Sequence, residues 1–190
     1  IYAGPDDDIV YGNAGGDEIY GGAGIDYVEG NQGADTIHGD AGDDDLFGDS
    51  GPDIIVGGTG DDFVFAGTGD DTVEGNAGFD TIFGEDGNDT ILGGTGEDRL
   101  FGMADDDTIE GGPGRDFLLG DIGNDTLLGG SGDDFISGGG DSGNQSLDPM
   151  ALMLDSSDFG DHAFGGDGHD FIVGGWPIGY DALQNLVGNL

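Results

Sequence analysis

The chain has 190 residues, of which 42 are Asp or Glu and only two, Arg99 and Arg115, are Lys or Arg, so its formal net charge is −40. That charge excludes nucleic acid and anionic membrane surfaces as partners, and the absence of Cys excludes disulfides. Few aromatics and this much self-repulsion are the composition of a disordered chain, unless something cationic enters the folded state.

Glycine accounts for 46 residues, but it keeps no every-third register, so the chain is not collagen-like. No window is long and apolar enough for a membrane span, and no signal peptide is visible at residue 1. Ile1 falls on the same phase as Val64 and Val73, so the chain is expected to be a piece of a longer polypeptide.

From the first residues a nine-residue period runs along the chain. It is clearest in Gly57 to Gly75, GGTGDDFVFAGTGDDTVEG, where small residues, an acidic pair and a β-prone triplet occur twice. On one phase stand Asp8, Asp17, Asp26, Asp35, Asp44, Asp53, Asp62, Asp71, Asp80, Asp89, Asp98, Asp107, Asp116, Asp125 and Asp134, without a miss. Two residues after each comes Val, Ile or Leu, from Val10 and Ile19 through Val64 and Val73 to Ile136, and most are β-branched. A helix would need apolar residues at a period of 3.6, and the glycines would destabilise it. The spacing instead predicts three-residue strands with only the middle side chain inward. Gly15, Gly24, Gly33 and their successors recur on a further phase, interrupted by Asp105, and the second position alternates among Asn13, Gly22, Asn31, Asp40, Asp49 and Gly58. These are residues that tolerate positive φ, so they are read as turn positions.

The motif resembles the RTX, or hemolysin-type calcium-binding, repeat G-G-x-G-x-D-x-U-x, where U is a large apolar residue. The resemblance covers residues 4–138 almost continuously and returns at Gly165 to Gly174. It implies an all-β fold, a parallel β-roll or two-sheet β-solenoid in which two nine-residue units make each turn. It also implies Ca2+ in the stacked loops, each ion held by loop carbonyls and by the Asp of the motif, with Asp170 added to the fifteen above. Fifteen loops in two columns leave roughly thirteen gaps, so about thirteen Ca2+ are expected. Carboxylates stacked about 5 Å apart repel by roughly 1 kcal/mol in water and about 3 at an effective dielectric of 20, which is a physical reason for cations between them. Oxygen-only ligation suits Ca2+ better than Mg2+ or Zn2+.

Residues 1–138 are thus expected to form the roll. In the irregular insertion 139–160, Gly143 and Leu152 stand where Asp is due. Units return over 161–175, and 176–190 either caps the roll or belongs to a secretion signal. Met103, Ala104 and Asp105 make the turn before Asp107 suspect as a binding loop. A turn of two units places Phe47, Phe65, Phe83, Phe101 and Leu119 in one outward row, with Tyr27, Phe63, Phe117 and Phe135 beside it. The other sheet carries Thr36, Thr72, Thr90, Thr108 and Thr126, broken by Ile54.

The three histidines, His38, His162 and His169, lie on unrelated phases, and no HExxH or GxSxG motif is present, so an enzyme is not expected. The resemblance implies a calcium-binding structural module of a secreted bacterial protein, exported unfolded by type I secretion and folded by extracellular Ca2+. The competing expectation is a self-assembling or adhesive surface protein that uses the aromatic face, with contacts through Phe47, Phe65, Phe83 and Phe101.

Overall fold

The computed structural model describes residues 1–139 and, as strand backbone, 162–167 and 171–173. Within these, the nine-residue units become strands that run from β1 (Tyr2–Gly4) and β2 (Ile9–Tyr11) through β3 (Glu18–Ala23) and its successors to β15 (Thr126–Ser131). The series ends with β16 (Phe135–Ser137), β17 (His162–Asp167) and β18 (Phe171–Val173). Odd-numbered strands form one nine-stranded sheet and even-numbered strands the other. All pairings are parallel, and up to residue 137 partners lie one double unit apart, as in Ile37 opposite Ile55 and Val64 opposite Ile82. Alternate units therefore enter opposite sheets and two units close one turn, which is the expected β-roll. After β16 the pairing resumes with His162 opposite Thr126 and Phe171 opposite Phe135. The intervening insertion and the segment 174–190 lie outside the described residues.

The core is a single row from each sheet. Ile19, Val28, Ile37 and each successor to Ile136 are fully buried, and Val10 at the first turn is 7% exposed. A strand of this roll buries one large side chain against the opposite sheet, so β-branched Val and Ile fit the narrow interior.

The strands from β3 to β15 are six residues long, not three. Pairing continues past the apolar triplet, for example Asp40 opposite Gly58 and Ala41 opposite Thr59. In-register neighbours above and below carry the pairing past the triplet, although Asp40 and Gly58 themselves sit at positive φ. A second inward position results, occupied by Gly39, Gly57, Gly75 and their counterparts; from Gly12 to Gly138, Ala66 alone carries a side chain larger than hydrogen in that row. The reason for glycine here is space. A Cβ on Gly57 would collide with Asp62 Oδ2 and lie 3.0 Å from the Gly75 carbonyl oxygen.

On the outer face of the even-numbered sheet the aromatic row is continuous. Phe47, Phe65, Phe83 and Phe101 stack at 5.6, 4.8 and 4.7 Å; Leu119 follows in that row, and the aromatic contact crosses to the row beside it through Phe117 to Phe135. Phe63 packs edge-on against Phe65 and Phe83. The opposite sheet carries Thr36, Ile54, Thr72, Thr90, Thr108 and Thr126 in register, the threonine row with its expected break.

Candidate metal centre

Each turn between sheets starts with a residue at positive φ, such as Asn31 at 73° and Asp40 at 75°. It then passes through a glycine such as Gly60 at 125° and ends on the Asp of the motif. The glycine conformation is closed to side-chain-bearing residues. Turns stack directly on one another, and amides cross between them, as from Gly60 to the Ala77 carbonyl at 2.9 Å. The Asp side chains consequently form two columns. One holds Asp8, Asp26, Asp44, Asp62, Asp80, Asp98, Asp116 and Asp134; the other holds Asp17, Asp35, Asp53, Asp71, Asp89, Asp107 and Asp125.

From Asp26 onward the two oxygens of each column carboxylate are distinct. Oδ1 accepts a hydrogen bond from the backbone N–H of the Asp one turn before, as from Asp62 N–H to Asp80 Oδ1 at 2.9 Å. Thirteen such bonds of 2.7–3.0 Å run through the two columns. Oδ2 of every Asp in the columns from Asp17 to Asp116 is buried and accepts no hydrogen bond. Except at Asp71, where Ala66 holds the inward position, each of these orphaned oxygens lies beside the space left by the inward glycine, where the carbonyl oxygen of the next stacked turn also arrives. At Gly57, the position a Cβ would take is flanked by Asp62 Oδ2 and the Gly75 oxygen.

Leaving anionic oxygens buried and unpaired is costly. Asp26 through Asp116 on this phase are no more than 2% exposed. Burial is the main cause that pushes Asp44, Asp80, Asp89 and Asp98 up to about 6 and Asp53, Asp62 and Asp116 up to about 7. The backbone hydrogen bond opposes the rise, and neighbouring carboxylates add to it. Asp107 is raised furthest, to about 8, by burial and then by the charges of Asp125, Asp89 and Asp105.

The suspect turn before Asp107 is indeed different. Asp105 adopts φ 75° where most other turns have glycine at 110–156°, and Met103 sits at φ 82°. The bond from Gly87 N–H to the Ala104 carbonyl is stretched to 3.4 Å. Asp170 lies outside the described residues.

Among the described residues no three His, Asp or Glu side chains converge on one point. A cation held here must therefore be held chiefly by backbone carbonyls, each turn adding one carboxylate. That donor set is all oxygen, uses irregular loop backbone and repeats along a column. It suits a hard divalent ion that accepts six to eight oxygens, and it offers nothing to a thiophilic or imidazole-seeking metal. The inward glycine row belongs to this arrangement, although from sequence it reads only as turn chemistry. Its signal was the near-absence of any side chain on that phase. A second, exposed ladder also escapes the motif: the amide of Asn88 donates to Asp70 Oδ1, that of Asp106 to Asn88 Oδ1, and that of Asn124 to Asp106 Oδ1.

Fold and columns together define a parallel β-roll whose stacked turns present orphaned carboxylate oxygens for divalent cations. The RTX calcium-binding nonapeptide repeat profile matches residues 1–28, 20–55, 47–82, 65–100, 83–118, 110–143 and 155–176. The chain belongs to that family, whose repeats bind Ca2+ and form a structural module typical of secreted bacterial proteins. Comparison with curated proteins found no match. No helix among the described residues is long and apolar enough to cross a membrane.

Proposed function

We propose that the chain is a calcium-dependent folding module of a secreted bacterial protein, kept unfolded during type I secretion and ordered by extracellular Ca2+. The ligands are the carboxylates of Asp8 to Asp134 on the nine-residue phase, with Asp170 in the returning unit, and the loop carbonyls stacked beside them. The observation that carries this reading is the buried Oδ2 atoms of Asp17 to Asp116 in the two columns, which accept no hydrogen bond. Bound calcium supplies the positive charge that lets these carboxylates remain ionised inside the roll. The Oδ1 hydrogen bonds hold each side chain in place, and the inward glycines keep the space beside Oδ2 open. No preformed site exists in an extended chain, so binding free energy becomes folding free energy. Far-UV circular dichroism in EGTA and then in millimolar Ca2+ tests this. A disordered spectrum that becomes β supports it, and a β spectrum in both sinks it.

A second reading rests on the continuous aromatic row of the even-numbered sheet. Through Phe47, Phe65, Phe83 and Phe101 the roll would meet another copy or a neighbouring domain. Sedimentation in Ca2+ separates the two readings, since an export module stays monomeric. Concentration-dependent association removed by Phe65→Asp with Phe83→Asp favours the aromatic contact.

A further inference from the structure

The chain's only two arginines, in a sequence without lysine, stand in successive turns on the same side of the roll, Arg99 two residues past Glu97 and Arg115 one turn beyond Glu97, and have different fates. Arg115 lies one turn beyond Glu97 and pairs with it at 2.6 Å. Arg99 is exposed, and its guanidinium forms no hydrogen bond or ion pair among the described residues. Among the described residues Arg99 therefore carries the guanidinium that is left free to meet an anion from outside the roll.

Arg99 borders a groove of 220 Å3 whose other walls are Phe79, Asp80, Thr81 and Glu97. The groove has a local cause. The outward row that begins β8 (Phe63–Thr68), β10 (Thr81–Asp86), β12 (Arg99–Ala104) and β14 (Phe117–Ile122) reads Phe63, Thr81, Arg99, Phe117. Thr81 is the shortest of the four, so the floor drops between an aromatic neighbour and the guanidinium. On the turn side stands Phe79, which is 58% exposed. Its position is held by the backbone, with Phe79 N–H donating to Asp61 Oδ1 at 2.9 Å and Arg99 N–H to the Asp80 carbonyl at 2.8 Å.

We propose that this groove binds a small aromatic monocarboxylate, with the carboxylate on Arg99 and the ring against Phe79 over Thr81. The volume is below the range of drug-sized pockets and suits a single ring. Asp80 is buried in its column and Glu97 is engaged by Arg115, so the charged group the groove has left to offer a ligand is Arg99. The guanidinium fork matches a carboxylate, and the phenyl face matches a ring. The negative field of the rest of the rod admits a monoanion more readily than a polyanion.

The test is a titration of the 15N-labelled chain, in saturating Ca2+, with sodium benzoate, followed by amide and Arg side-chain shifts. Saturable shifts confined to Thr81, Glu97, Arg99 and Phe79 are expected, with benzamide at least about tenfold weaker because it lacks the charge. Arg99→Gln should weaken benzoate by a similar factor, and Thr81→Phe should abolish it by filling the floor, both with an unchanged β spectrum. If either variant disturbs the spectrum, the benzoate and benzamide comparison on the unaltered chain decides. Equal affinity for the two ligands, unchanged benzoate affinity in Arg99→Gln, or no saturable shift at these residues would overturn the proposal.

Discussion

Acidifying the calcium-free chain should fold it. In the roll, Asp44, Asp53, Asp62, Asp80, Asp89, Asp98, Asp107 and Asp116 rise from an ordinary value of 3.8 to between about 6 and about 8. A carboxyl whose folded value is raised binds protons more tightly in the folded state. Its stabilising contribution is complete below about 3.8 and is lost as the pH rises through about 6 to 8. Each unit of rise is worth about 1.4 kcal/mol, so ionising one such Asp inside the roll costs about 3 to 6 kcal/mol relative to the unfolded chain. Protonation of one relieves its column neighbours, and halving the sum for eight groups leaves on the order of 15 kcal/mol. That is comparable with the roughly 5–15 kcal/mol that holds a typical domain together.

Without calcium, the chain should therefore be disordered at pH 7.5 and gain β structure on titration toward pH 4.5, taking up several protons. With millimolar Ca2+ it should be folded across that range. The assay is far-UV circular dichroism at micromolar concentration, with sedimentation to confirm that the acid state is not an aggregate. A metal-free chain equally folded at both pH values, or one that gains structure as the pH rises, would refute the reasoning.

Other consequences follow from packing. Ile82→Ala removes a fully buried side chain from the middle of the core row and should cost about 2–5 kcal/mol, seen as a lower melting temperature in Ca2+. Gly60→Ala places a methyl at φ 125° and against the Gly42 carbonyl oxygen, so it should raise the calcium concentration at the folding midpoint. Phe83→Ala deletes stacking against Phe65 and Phe101 and should destabilise the calcium-loaded roll by about 1–3 kcal/mol without changing the number of ions bound. Arg115→Gln breaks an ion pair whose side chains are 66% and 51% exposed, so its effect on the melting temperature should be small, below about 1 kcal/mol.

The register of the fold was legible because the repeat is the smallest unit that both turns the chain and buries one side chain. Asp62 and Val64 each recur on a fixed phase, and their opposite destinations, metal column and core, follow from the pattern. The aromatic and threonine faces followed once two units were taken as a turn. Strand length did not follow, because Gly57 and Gly58 carry little β propensity of their own. Gly58 and Thr59 are instead paired in register with stacked neighbours, which is a tertiary effect. The inward role of Gly57 was hidden for a related reason: glycine in a turn motif suggests backbone freedom, whereas here the space vacated by its side chain is what counts. Nor does any local pattern show that Asp62 N–H donates to Asp80 Oδ1, since that bond joins residues a whole turn apart. The isolation of Arg99 likewise becomes visible only when Thr81 and Phe79 are stacked beside it.

The most direct test of the account is a calcium count taken on the folding chain. Isothermal titration at pH 7.5, with circular dichroism on the same samples, should show about thirteen ions bound, one for each inter-turn hydrogen bond between column Asp residues, with β structure appearing as they bind. A chain that reaches its full β spectrum with one or two ions, or with none, would contradict it.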